Sequence, residues 1–176
     1  YSQFSSRRKR NMYSDRSVFG FFNPSVEYQY SHKIVYIMPN VGGKFYMCQV
    51  AKCGGKWHVL DLVMRETVSL EEMKSVICSH DAGTYIVESS PAYYQMAREL
   101  RNTLPEGRIK KEYQDMDKRI AATSDFIKSY FLLSETGMEN DEYMAFITEV
   151  LDYNDENISG ASALLSGMAY HIIKLG

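Results

Sequence analysis

The sequence predicts an α/β domain, one mixed sheet flanked by helices, and three observations carry that reading. Two short runs, 33–38 and 84–87, are almost wholly apolar, as strands buried on both faces are. Residues 44–52 and 56–64 are rich in β-branched and aromatic residues and meet at Cys53-Gly54-Gly55, which marks an antiparallel hairpin. Beyond residue 115 the apolar spacing turns helical in three successive segments, so the order is β-β-β-α-β-α-β-α-α-α.

Each element has a local reason. Residues 1–30 show no clean period and read as a linker or leading arm, partly ordered through Phe19, Phe21 and Phe22; the domain proper spans 31–176. The run Lys33-Ile34-Val35-Tyr36-Ile37-Met38 is stopped by Pro39, and Gly42-Gly43 turns the chain into the hairpin. Ser69 caps a short helix, with Glu72 in the capping-box position. The second buried strand ends at Glu88, and Pro91 opens a helix running to about Asn102. A short strand covers 108–112. The first of the three closing helices carries Met116, Ile120, Thr123 and Ile127. The second carries Tyr143, Phe146, Ile147, Val150 and Leu151, and the third Ile158, Ala161, Leu165, Met168 and Ile172. The two apolar runs should lie adjacent and parallel, with the hairpin beside the first rather than between them.

Composition bounds the function. At 176 residues, 45% apolar and 13% aromatic, the chain has enough to bury one core. No apolar run approaches the ~20 residues that span a bilayer, so no membrane partner is expected. The chain begins at Tyr1 without a signal- or transit-peptide pattern, which reads as a piece of a longer protein. Cys48, Cys53 and Cys78 are odd in number and lack CxxC spacing, so free thiols in a reducing cytosol are expected. Charge is nearly balanced, 20 Lys+Arg against 22 Asp+Glu, but unevenly placed. Basic residues gather between Arg98 and Lys128, whereas residues 129–173 hold neither Lys nor Arg. Most of the acids there read as a solvated face.

Familiar catalytic patterns are missing. There is no Walker loop, GxGxxG or GxSxG, and His32, His58, His80 and His171 are scattered. Glu88 stands out because it ends a buried strand, where parallel sheets present ligands and reacting groups. Asp155 and Glu156 lead the last helix, near the positive end of its dipole. Each alone reads as ordinary strand closure or helix capping. Together they are the oxygen donors that a divalent-metal site requires.

Several segments, in order, resemble one family. They are Val35-Tyr36-Ile37-Met38-Pro39 followed by Gly42-Gly43, Trp57-His58-Val59-Leu60-Asp61 and Ile86-Val87-Glu88-Ser89. Asp117-Lys118-Arg119-Ile120, Glu142-Tyr143 through Phe146, Glu149 and Tyr153, and Asp155-Glu156-Asn157-Ile158-Ser159-Gly160-Ala161 follow. From Ile34 to Tyr170 the chain resembles the nuclease domain of the large terminase subunit of tailed bacteriophages. The resemblance implies a ribonuclease H-like mixed sheet with an antiparallel hairpin and helices on both faces. It also implies Mg²⁺ or Mn²⁺ on Glu88, Glu156 and Asp155, and cutting of concatemeric double-stranded DNA during genome packaging. The partners it implies are a terminase ATPase domain, a portal and a small terminase subunit, in the cytoplasm of an infected or prophage-carrying bacterium. Arg108, Lys110, Lys111, Lys118 and Arg119 are the candidate phosphate contacts, with a solvated helix face as the ordinary alternative.

Two departures qualify the resemblance. The family's first-strand Asp falls on Met38, whose thioether is no ligand for a hard cation, and its last Asp falls on Ser159. Asp61, two strands from the first at roughly 10 Å, is too far to replace the lost carboxylate. The alternative function is therefore a catalytically degenerate ribonuclease H-like domain that positions DNA or docks within the packaging motor. A resolvase or transposase of the same superfold fits the stretch from Asp117 to Gly160 less well.

Overall fold

A computed structural model describes residues 19–66, 68–113, 115–153 and 160–175. Among them seven strands form one sheet: β1 (Gly20–Phe22), β2 (His32–Val41), β3 (Lys44–Cys53), β4 (Lys56–Glu66), β5 (Thr84–Ser89), β6 (Gly107–Lys111) and β7 (Phe131–Ser134). Their order is β1-β7-β4-β3-β2-β5-β6. The hairpin β3–β4 lies beside β2 and outside the parallel β2–β5 pair, as the two buried runs require. Gly54, at φ 62°, supplies the left-handed residue of the hairpin turn.

Among the described residues five α-helices cover the sheet: α1 (Leu70–Cys78), α2 (Tyr94–Asn102), α3 (Met116–Tyr130), α4 (Asp141–Leu151) and α5 (Gly160–Leu175). Ile34, Tyr36, Met38 and Ile86 point toward the layer of α3, α4 and α5. Val35, Ile37, Tyr85 and Val87 alternate to the other face, under α1 and α2. Burial on both faces is why these strands read as continuous apolar runs.

Several features depart from or refine the sequence reading, the first being that β2 does not stop at Pro39 but runs on to Val41, the proline lying in a register shift between Met38 and Val41. The leading arm contributes the edge strand β1, with Phe19 and Phe22 buried and Phe21 exposed. Strand β7 is an addition: Phe131-Leu132-Leu133-Ser134 directly abuts α3 and is too short to break the helical pattern. In β4, Gln49 pairs with Asp61 but Val50 with Val59, so Leu60 is the extra residue of a bulge. That bulge turns Val59 and Leu62, an odd number apart, into the same layer. Ser69 Oγ accepts from the Glu72 amide, as the capping pattern requires. Pro91 opens a single 3₁₀ turn, Pro91–Tyr93, before α2.

Candidate functional site

The parallel register pairs Ile37 with Val87, so Met38 and Glu88 follow side by side at the carboxyl edge. Both face the α3–α5 layer, Met38 two residues after Tyr36 and Glu88 two after Ile86. The juxtaposition expected from sequence is therefore present. Its surroundings are not those of an open carboxylate.

Glu88 is sealed into the protein, its side chain 0% exposed, and so is that of Arg119 from α3. Arg119 Nη1 donates to Glu88 Oε1 at 2.8 Å, and the buried Tyr36 hydroxyl donates to the same oxygen. The rest of the guanidinium is also engaged. Its Nε donates to Ser166 Oγ at 3.0 Å, and Nη2 donates to the Ala163 carbonyl at 2.9 Å and to Met116 Sδ at 3.2 Å. One side chain thus ties α3 and α5 to the end of β5. Burial, then the adjacent Glu88 charge, pushes the Tyr36 phenol well above its ordinary pKa, so it serves as a donor. Gly167 makes the arrangement possible, because a Cβ there would lie 2.7 Å from the Tyr36 ring and hydroxyl. A glycine lets α5 press directly on β2.

Beside the Arg119–Glu88 pair, and lined by neither of its members, lies a groove of about 410 Å³ bounded by Met38, Asn40, Ser90, Tyr93, Glu112 and Met116. A hard divalent cation asks for about six or more oxygen ligands. The described residues bring to this edge Glu88, already neutralised by a guanidinium and beside a thioether that is 4% exposed, and the exposed Glu112 at the groove's rim. Glu88 Oε2 is buried without a hydrogen-bond partner among the described residues. One orphaned oxygen does not make a ligand set, and the described residues do not fit a divalent cation. Among them no group of three or more His, Cys, Asp or Glu side chains could hold a metal. Asp155 and Glu156 lie outside the described residues.

The candidate phosphate contacts separate. Arg108 and Lys111 are exposed on β6, Lys110 is half-buried beside them, and Lys118 is exposed on α3. Arg119 is the correction: grouped with the surface cations by sequence, it is the largest fully buried side chain of the fold. It follows Asp117 and Lys118 in a charged stretch, so nothing local separates it from a solvated residue. Tyr36, Ser166 and Ala163, which complete the cluster, carried no sequence signal beyond Tyr36 sharing the face of Met38. Asp61 does not approach Glu88; its carboxylate instead holds His80 Nε2 at 2.6 Å.

No protein-family model and no curated protein matches the chain. Solved structures do. The nuclease domain of the P22 large terminase superposes with a TM-score of 0.65 at 7% identity, covering 94% of this chain and 92% of that one. A manganese-soaked structure of the human cytomegalovirus terminase nuclease domain gives 0.63 at 12% identity, covering 94% of each. The large terminase of a thermophilic bacteriophage gives 0.63 at 11% identity, with 96% of this chain matched. The match takes in 45% of that longer protein. The described residues, a seven-stranded mixed sheet with five α-helices, thus share the fold of these terminase nuclease domains.

Proposed function

We propose that this chain is the nuclease-fold domain of a viral DNA-packaging terminase and that it positions double-stranded DNA rather than cutting it. The observation that carries this reading is the sealed Arg119–Glu88 pair beside Met38. Where the resemblance implies an Asp at the end of the first strand beside Glu88, this chain has Met38, and Glu88 is the counter-ion of a buried guanidinium. The match to less than half of the thermophilic phage's large terminase supports a setting beside an ATPase domain, in the cytoplasm of the infected host.

A cutting nuclease is the second reading. It is favoured by the orphaned Glu88 Oε2 and by Asp155 and Glu156 in the order the resemblance asks for, with Mg²⁺ or Mn²⁺ as the implied ion. A plasmid-nicking assay with Mn²⁺ and with Mg²⁺ separates the two, run beside Glu88→Gln and beside a calorimetric titration with Mn²⁺. The positioning reading expects no nicking above background and no binding at millimolar metal. Nicking by the wild type that Glu88→Gln abolishes would establish the nuclease instead.

A further inference from the structure

We propose that the face formed by β6 and the last turns of α5 is the surface on which this domain takes the sugar–phosphate backbone of duplex DNA. The inference rests on the positioning reading and gives it a place.

Arg108 and Lys110 are two residues apart on an edge strand, so they share a face at roughly 6.6 Å spacing. Their register with Ile86 and Glu88 puts them on the α5 side of the sheet. There α5 adds His171 and Lys174, three apart and hence neighbours on its surface. Tyr170 joins the two rows: Lys110 Nζ lies 5.2 Å and Lys174 Nζ 4.9 Å from its ring centroid. Below them a groove of about 680 Å³ is bounded by Arg108, His171, His32, Lys33 and Thr84, with no carboxylate side chain among the described residues of its lining.

These cations lack the counter-ions found elsewhere in the protein. Lys44 pairs with Glu149, Arg65 with Glu142 and Lys33 with Asp81. Arg108, Lys110 and Lys174 have no carboxylate within ion-pair distance among the described residues. The crowding is felt locally, since burial and the charges of Lys110 and Arg108 hold His171 below its ordinary pKa. In a chain of net charge −2, a basic row without carboxylate partners makes a local positive field that attracts a polyanion. The row is extended along a strand and a helix rather than closed into a pocket. It therefore suits a linear array of phosphates better than a single small anion.

Fluorescence anisotropy of a labelled 30-base-pair duplex, titrated at several NaCl concentrations, tests this. Each phosphate neutralised contributes about −0.9 to the slope of log K against log salt. The double variant Lys110→Gln/Lys174→Gln should lower the magnitude of that slope by about 1.8 and weaken binding by up to roughly 60-fold at 0.1 M salt. Lys110→Arg/Lys174→Arg should bind like the wild type, which distinguishes lost charge from lost packing. Lys74→Gln, on α1 across the sheet, should leave the slope unchanged. DNA binding by the wild type that the double Gln variant retains in full would overturn the surface. Failure of the wild type to bind duplex DNA at low salt would overturn both the surface and the positioning role. Metal-dependent cutting, with the slope change intact, would overturn only the absence of cutting.

Discussion

Arg119 has no route to solvent, so its charge is balanced from within. Replacing it with Met would leave Glu88 buried opposite an apolar group, and breaking such a pair typically costs about 3–5 kcal/mol. Arg119→Met should therefore shift the urea midpoint sharply down. Arg119→Met combined with Glu88→Gln should recover much of that loss, because a neutral pair leaves no bare charge. Near-additive losses in the double variant would mean that the two residues are not coupled. Gly167 is the second sensitive position. Gly167→Ala gains about 1 kcal/mol in helix propensity, but its Cβ would meet the Tyr36 ring at 2.7 Å. Overpacking of this kind costs about 1–3 kcal/mol, so a net loss of stability is expected from the same denaturation experiment.

Between elements, His80 fastens α1 to β4. Its Nδ1 faces the Val76 carbonyl at 2.8 Å and its Nε2 faces Asp61 at 2.6 Å, an arrangement that asks both nitrogens to donate. The hydrogen bond to Asp61 is the main cause of a His80 pKa above the ordinary 6.5. A histidine raised on folding contributes stability that is fully present below its unfolded pKa and disappears as pH rises through the folded value. His58 and His171 are lowered, chiefly by burial, and act in the opposite direction. Comparing the wild type with His80→Gln cancels them. The stability difference should be largest below about pH 6.5 and shrink steadily on going alkaline. A difference that grows with pH would exclude the charged staple.

At the scale of the whole molecule, the sheet sorts the thiols. Cys78 is exposed and Cys53 half-buried, whereas Cys48 lies in the core and its pKa is pushed up by burial. A thiol reagent should modify two cysteines in the native protein and the third only in denaturant. Three fast thiols would place Cys48 outside the core. The fold should also be indifferent to metal. Binding with a Kd a hundredfold below the added Mn²⁺ would stabilise it by about 2.7 kcal/mol, a shift of several degrees in Tm. We expect equal Tm in EDTA and in millimolar Mn²⁺, and a metal-dependent rise would favour the cutting nuclease.

Much of this architecture follows from local physics. Strands β2 and β5 are apolar because both their faces are covered, and Gly54 with its neighbours dictates where the hairpin folds back. These are properties of contiguous residues, so periodicity and turn chemistry expose them. The nearness of Met38 to Glu88 was also legible, since parallel neighbours ending together bring their last side chains to one edge. Strand β7 escaped because four residues after a helix carry too little pattern. What Glu88 does there was decided only by the tertiary structure. Its partners Tyr36 and Arg119 come from β2 and α3, 52 and 31 positions away, and Arg119 is in turn held by Ser166 and Ala163 of α5. A carboxylate at a strand end looks the same in sequence whether it awaits a cation from solution or has one supplied by the chain itself. Burial, which only folding creates, makes the difference.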